Sequence, residues 1–123
     1  MSRHQSRAKD YVQDLLDACA RIAEYNAGKT RESFLADSLV QDATIRNLEI
    51  LGEASRQLRN VLPNANERFP EVPFAKMYAL RNNLAHGYLT VNMDIIWNVV
   101  EIEIPRLRPL LESVLVNWPA DLA

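Results

Sequence analysis

The sequence predicts an all-α fold, an antiparallel bundle of four main helices and one short one. Three observations lead there. Apolar residues recur at intervals of three and four, not two. Glycine occurs only three times, as Gly28, Gly52 and Gly87, and no Asn-Gly or Asp-Gly pair marks a hairpin. The apolar-periodic stretches are separated by glycine, proline and capping residues.

The elements follow in order. From Tyr11, the set Val12, Leu15, Leu16, Cys19, Ile22 and Ala23 forms one helical face, and Ala27-Gly28-Lys29-Thr30 closes that helix. Lys29 or Thr30 opens a short helix through Phe34 and Leu35. A longer helix runs from Asp37 or Ser38 to Leu62. Ser38 is its expected N-cap, with Gln41 completing a capping box. Its apolar set is Val40, Thr44, Ile45, Leu48, Leu51, Ala54, Ser55, Leu58 and Val61. Pro63-Asn64-Ala65-Asn66 ends it, and Pro70 and Pro73 bracket a connecting loop. The next helix spans Phe74 to His86, with Gly87 as its left-handed stop. Tyr88-Leu89-Thr90-Val91 reads as a short turn. Asn92 caps the last helix, which runs to about Asn117 with Asp94 in its first turn. Its apolar residues cover more than one stripe, which suits a central helix or one that meets a second chain. Pro105 should kink or split it.

At 123 residues, with 48% hydrophobic and 24% charged side chains, the composition fits a single globular domain over 1–123, its ordered core at about 8–117. A lone Cys19 excludes an intrachain disulfide and suits a reducing cytoplasm, the expected location. His4 and His86 are far apart and no Cys/His cluster exists, so neither a metal site nor a cofactor is expected. No apolar run is long enough to span a membrane, and none follows Met1-Ser2-Arg3-His4-Gln5 as a secretory signal would. The net charge of −2 argues against charge-driven coating of nucleic acid, but not against a local basic pocket. Eleven of the fourteen cations are arginine, the side chain suited to forked phosphate contacts. Residues 43–88 carry six cations against four anions, and residues 91–123 two against five.

Gly28-Lys29-Thr30 lacks the upstream glycine and strand of a phosphate-binding loop and reads as a helix stop. Glu49 and Glu53 share a helix face, but the histidines of a di-metal bundle are missing, so they read as solvent-facing or structural carboxylates. Gly52, mid-helix, costs about 1 kcal/mol against alanine, and close packing of another helix would explain it. Arg81-Asn82-Asn83-Leu84-Ala85-His86-Gly87-Tyr88 is more pointed. Arg81 and Tyr88 fall on nearly one face of the helix, Asn82 and His86 on an adjacent one. The helix end favours a protonated His86, and imidazole is the usual acid–base group near neutrality. Arginine can hold a phosphate and stabilise charge developing on it. That is a kit for RNA cleavage without a metal, although a histidine before a helix-ending glycine also serves simply as a cap residue.

Arg81…His86-Gly87-Tyr88 resembles the Arg-x-x-x-x-His-x-Tyr signature of the HepT-like branch of the HEPN family, the toxin half of HEPN/MNT toxin–antitoxin systems. The block Asp42 to Ala54, the Pro73-Phe74 pair, Ile95-Ile96-Trp97 and Ile104-Pro105-Arg106-Leu107 resemble the family in the same order, over roughly residues 8–117. Phe74 stands where the family often has Trp. The resemblance implies an all-α homodimer whose two Arg…His motifs face one cleft. It implies a metal-independent endoribonuclease of a type VII-like system, with tRNA or mRNA as target. It also implies an MNT-type nucleotidyltransferase antitoxin that transfers AMP to a tyrosine. Carried over, Arg81 and His86 are catalytic, Asn82 is a polar helper and Tyr88 is the AMP acceptor. Two other readings stand beside this one: an inactive RNA- or nucleotide-binding module, and a purely structural helical dimer partner of a nucleotidyltransferase.

Overall fold

The computed structural model describes residues 7–87 and 92–122, and among these there are helices and no strands. Seven α-helices follow in order: α1 (Ala8–Tyr25), α2 (Arg31–Leu35), α3 (Ser38–Val61), α4 (Ala65–Arg68), α5 (Phe74–Gly87), α6 (Met93–Asn98) and α7 (Ile104–Val116). A π-helical turn, Val99–Glu103, joins α6 to α7, and a 3-10 turn, Ala120–Leu122, follows.

The local chemistry explains most boundaries. Gly28, at φ 75°, turns the chain after α1. The Thr30 hydroxyl accepts from the Ser33 N–H and the Ser33 hydroxyl from the Thr30 N–H, a full capping box for α2. Asp37, not Ser38, caps α3, its carboxylate accepting from the Val40 N–H. The Gln41 amide is used elsewhere: it donates to the Phe34 and Leu35 carbonyls at 2.9 and 3.1 Å and so closes the end of α2. Asn92 caps α6 through the Asp94 N–H, as the sequence suggests. Residues 65–68, expected in a loop, form the single turn α4. The expected turn 88–91 lies outside the described residues.

α3 is the central element and packs on α1, α2 and α5, while α7 packs on α1 and α6 on α2. The core is continuous from Val12, Leu15 and Ile22 of α1 through Leu48, Leu51 and Leu58 of α3 to Leu107 and Leu111 of α7. Phe34 and Trp97 join α2 to α6 with ring centroids 5.3 Å apart, and Phe69 stacks on Trp118 at 5.6 Å. Polar side chains fix the α1–α3 register. The Arg21 guanidinium donates to the buried Asn47 amide oxygen at 2.7 Å, and the Asn26 amide to the Thr44 hydroxyl at 3.0 Å.

The last helix is therefore not central. It divides ahead of Pro105, where the Ile104 N–H reaches the Val99 carbonyl across the wide π turn. Pro105 has no N–H, and its ring would crowd the carbonyl four residues back in a regular helix; the wider turn relieves that. Ile95 stays 58% exposed on this path.

Candidate active site

The site begins with a glycine. Gly52, in the middle of α3, lies where α5 crosses it. A Cβ at Gly52 would fall 2.0 Å from the Arg81 Cβ, 2.5 Å from its Cγ and 3.2 Å from the Met77 carbonyl. The missing side chain is thus the seat in which the base of Arg81 rests. The mid-helix glycine and the candidate catalytic arginine are two sides of one contact.

The adjoining residue of α3 engages the other end of that side chain. A Glu53 carboxylate oxygen lies 3.6 Å from an Arg81 guanidinium nitrogen. Most of Glu53's bonding capacity goes elsewhere. Arg56 donates to it twice, at 2.7 and 3.2 Å, and the Gln57 amide donates at 3.2 Å. The hydrogen bonds from Arg56 hold the Glu53 carboxyl below its ordinary value, with Gln57 and the charge of Arg81 adding to the effect. Glu53 thus remains anionic near neutrality and aligns Arg81 through one long contact. Arg81 is 35% exposed, so its guanidinium keeps donors for a ligand. The sequence presents Glu49 and Glu53 only as two carboxylates on one face. The clue that it leaves is Gly52, immediately before Glu53.

These residues line one cavity. Arg46, Glu49, Ile50, Glu53 and Arg56 of α3 face Arg81 of α5 around it. Further along α3, Arg59 lies over the Tyr78 ring at 5.5 Å, a second cation-mediated tie between the two helices.

The remaining motif residues are placed unevenly. Asn82 is half-buried, one position on from Arg81. His86 belongs to the last turn of α5, which extends through Gly87. At about 100° per residue, the positions of Arg81 and His86 are separated by about 140° around the helix axis. Tyr88 lies outside the described residues. Among the described residues, no group of three His, Cys, Asp or Glu side chains could hold a metal ion.

The opposite flank of α5 is apolar. Leu48, Leu51, Met77, Leu80, Ile95 and Val99 are prominent in a groove that runs between α3, α5 and the α6–α7 path. Lys76 and Glu103 bridge it at 3.1 Å.

A family model described as ribonuclease HepT-like matches residues 15–114, from within α1 to near the end of α7. The chain belongs to this family. The match takes in α3 and α5 whole, and with them Gly52, Glu53 and the complete Arg81–Tyr88 segment. By family, then, the chain is an endoribonuclease of the HepT-like type. A Thermococcus cleftensis protein named "Probable ribonuclease HepT" is 37% identical over 107 residues, covering 86% of this chain and 94% of its own. The Methanocaldococcus jannaschii protein "Putative RNase MJ1380" is 32% identical over 106 residues, covering 86% and 94%. A Caldanaerobacter subterraneus protein, "Putative RNase TTE0752", is 32% identical over 107 residues, covering 87% and 93%. No solved structure matches the chain. Among the described residues, this HepT-like ribonuclease has no helix long and apolar enough to cross a membrane.

Proposed function

We propose that this HepT-like ribonuclease is the RNA-cleaving toxin of a type VII-like toxin–antitoxin system. It works in the cytoplasm as a single helical domain paired into a homodimer, cuts tRNA or mRNA without a metal ion, and is silenced when an MNT-type nucleotidyltransferase adds AMP to Tyr88. The observation that carries this reading is the seating of Arg81. Its base is fixed over Gly52, its guanidinium is aligned by Glu53, and donors are left open in an arginine-rich cavity.

In this mechanism the 2′-hydroxyl oxygen of the RNA attacks the adjacent phosphorus, and the bond from phosphorus to the 5′-oxygen of the next nucleotide breaks. One imidazole, that of His86, takes the hydroxyl proton or returns a proton to the leaving oxygen. Arg81 stabilises the negative charge that builds on the phosphoryl oxygens, and Asn82 assists as a neutral donor. The products are a 2′,3′-cyclic phosphate and a free 5′-hydroxyl.

The geometry of α5 supports the dimer. Positions about 140° apart on one helix do not serve one phosphate from one side. A two-fold axis beside α5 would let each copy complement the other. The apolar groove with exposed Ile95 supplies a surface for that contact. On this reading Tyr88, two residues past His86, carries the AMP at the mouth of the cleft, where added charge and bulk oppose RNA.

The test is incubation of the purified protein with total RNA in EDTA, alongside sedimentation. Cleavage that persists in the chelator, leaves cyclic phosphate ends and belongs to a dimer is expected. Cleavage only with added magnesium would overturn the mechanism, and a stable 14.0 kDa monomer at micromolar concentration would overturn the dimer. Tight RNA binding without cleavage would favour a binding module instead.

A further inference from the structure

The cavity beside Arg81 holds more cationic capacity than cleavage of one phosphodiester uses. Of its lining residues, Arg56 is committed to Glu53 by two hydrogen bonds, and Arg81 is the arm assigned to the scissile phosphate. Arg46 remains. It is exposed and makes no ion pair among the described residues, Glu49 three positions along included. Glu53 and Arg56 offset one another, so the cavity keeps two available guanidinium groups against the single carboxylate of Glu49.

Arg46 and Glu53 are seven residues apart, two helical turns, so they share a face of α3 at about 10 Å separation along the axis. Arg81 enters from α5 at the level of Glu53. Two flexible, forked donors therefore reach into one cavity from opposite ends, with the apolar side chain of Ile50 between them. The cavity measures about 450 Å³, which is room for a phosphate together with its ribose.

We propose that this cavity is a phosphate subsite for the RNA strand. Arg46 binds a phosphodiester one or two steps along the chain from the one cleaved at Arg81, and Ile50 packs against the intervening sugar. The proposal rests on the RNA-cleaving reading above and adds to it a second point of attachment. That attachment sets the strand's direction across the site. Arg46 touches no reacting atom, so its contribution belongs to binding and not to the chemical step.

The test uses a fluorescently labelled single-stranded RNA and two backgrounds. In the cleavage-deficient His86→Ala protein, anisotropy titrations at several salt concentrations measure binding directly. Adding Arg46→Ala should weaken binding about tenfold and lower the salt slope by about 0.7, the value for one lost phosphate contact on a single strand. In the otherwise wild-type enzyme, Arg46→Ala should raise KM by a similar factor and leave kcat unchanged. Lys9→Ala, on the exposed face of α1, serves as the control and should change neither. Titration with inorganic phosphate separates an RNA subsite from a general anion site. If Arg46→Ala abolishes phosphate inhibition but leaves the RNA salt slope and KM as they were, the cavity holds free anions and the proposal fails. If wild type cleaves RNA while Arg46→Ala changes neither slope nor KM, the subsite is refuted and the ribonuclease reading stands. If wild type neither binds nor cleaves RNA, both are refuted.

Discussion

Replacing Gly52 with alanine sets two effects against each other, and the structure decides between them. On helix propensity alone, alanine should stabilise α3 by about 1 kcal/mol. Against that, the new methyl carbon would lie 2.0 Å from the Arg81 Cβ and 3.2 Å from the Met77 carbonyl. Carbon atoms pack at about 3.5–4.0 Å, so the gap is short by about 1.5 Å or more. The obstructing atom is the root of the arginine, not its flexible tip, so a rotamer change does not clear it; α5 itself must move. Overpacking of this kind costs about 1–3 kcal/mol, and because a helix and not a flexible side-chain end must give way, the upper part of the range applies. After the propensity gain, the net loss should be about 1–2 kcal/mol, a fall of roughly 4–8 °C in melting temperature for a chain of this size. Activity should fall further than stability. A misplacement of about 1 Å at a charge-stabilising group can cost on the order of 10²-fold. Gly28→Ala provides the comparison. Gly28 has no neighbour within 4 Å of a built Cβ but sits at φ 75°, so alanine there strains only the backbone, by about 1–2 kcal/mol. Circular dichroism melts and RNA cleavage at 25 °C on both variants provide the readout. Two similarly destabilised proteins, of which only Gly52→Ala is inactive at 25 °C, are expected. A Gly52→Ala protein that melts higher than wild type and cleaves normally would show that α5 does not press on α3 at Arg81.

The other predictions concern single groups. Arg81→Lys should lower cleavage by on the order of 10-fold or more because an ammonium lacks the forked phosphate contact, and His86→Ala by about 10²-fold or more; initial rates on a defined RNA check both, and unimpaired variants would remove these roles. Tyr88→Phe should retain RNase activity but gain no AMP mass from the antitoxin and ATP; an AMP-sized gain on this variant by intact mass spectrometry would place the modification elsewhere. Burial pushes the Cys19 thiol up to about 12, so iodoacetamide should label it in urea and leave it untouched in the native protein at pH 8; rapid native labelling would contradict its place in the core. Glu53 has a lowered folded-state value, so its contribution to stability is present above its ordinary value of 4.5 and is lost as pH falls through the depressed one. Glu53→Gln should therefore flatten the acid side of the stability profile below about pH 4.5, measured by urea titration; an unchanged profile would mean that the Arg56 pair is not formed.

Much of the fold is legible in the sequence, and what is not has physical causes. The helix faces of α1 and α3 follow from apolar spacing, and burial of Val12, Leu15, Leu48 and Leu58 agrees with them. Ser38 competes with Asp37 for the cap of α3 because serine and aspartate are both good caps. Deciding between them needed the fate of Gln41, which closes α2 instead. α4 is one turn, too short to leave a periodic signal. Asn47 is no part of the apolar set that the spacing picks out, yet it is buried, and Arg21 from α1 satisfies its amide oxygen. At the site, Arg81 and Gly52 were each conspicuous, but their contact was not. Which face of α3 receives α5 is a tertiary fact, and the role of Glu53 depends wholly on it.

The π turn at Val99–Glu103 has a consequence for how the chain tolerates change in length. A π turn accommodates one residue more than the α-helix around it, and one residue is worth about 100° of rotation. Upstream of the turn, α6 meets α2; downstream, α7 meets α1. The turn takes up its extra residue locally. Deleting one residue within 99–103 would let it close to a regular α-helix, and Leu107 and Leu111 would keep their places in the core. The cost would fall on Pro105, whose ring would then meet the carbonyl four residues back. A residue gained or lost within α7 itself has no such turn to absorb it, and would rotate everything that follows by about 100°.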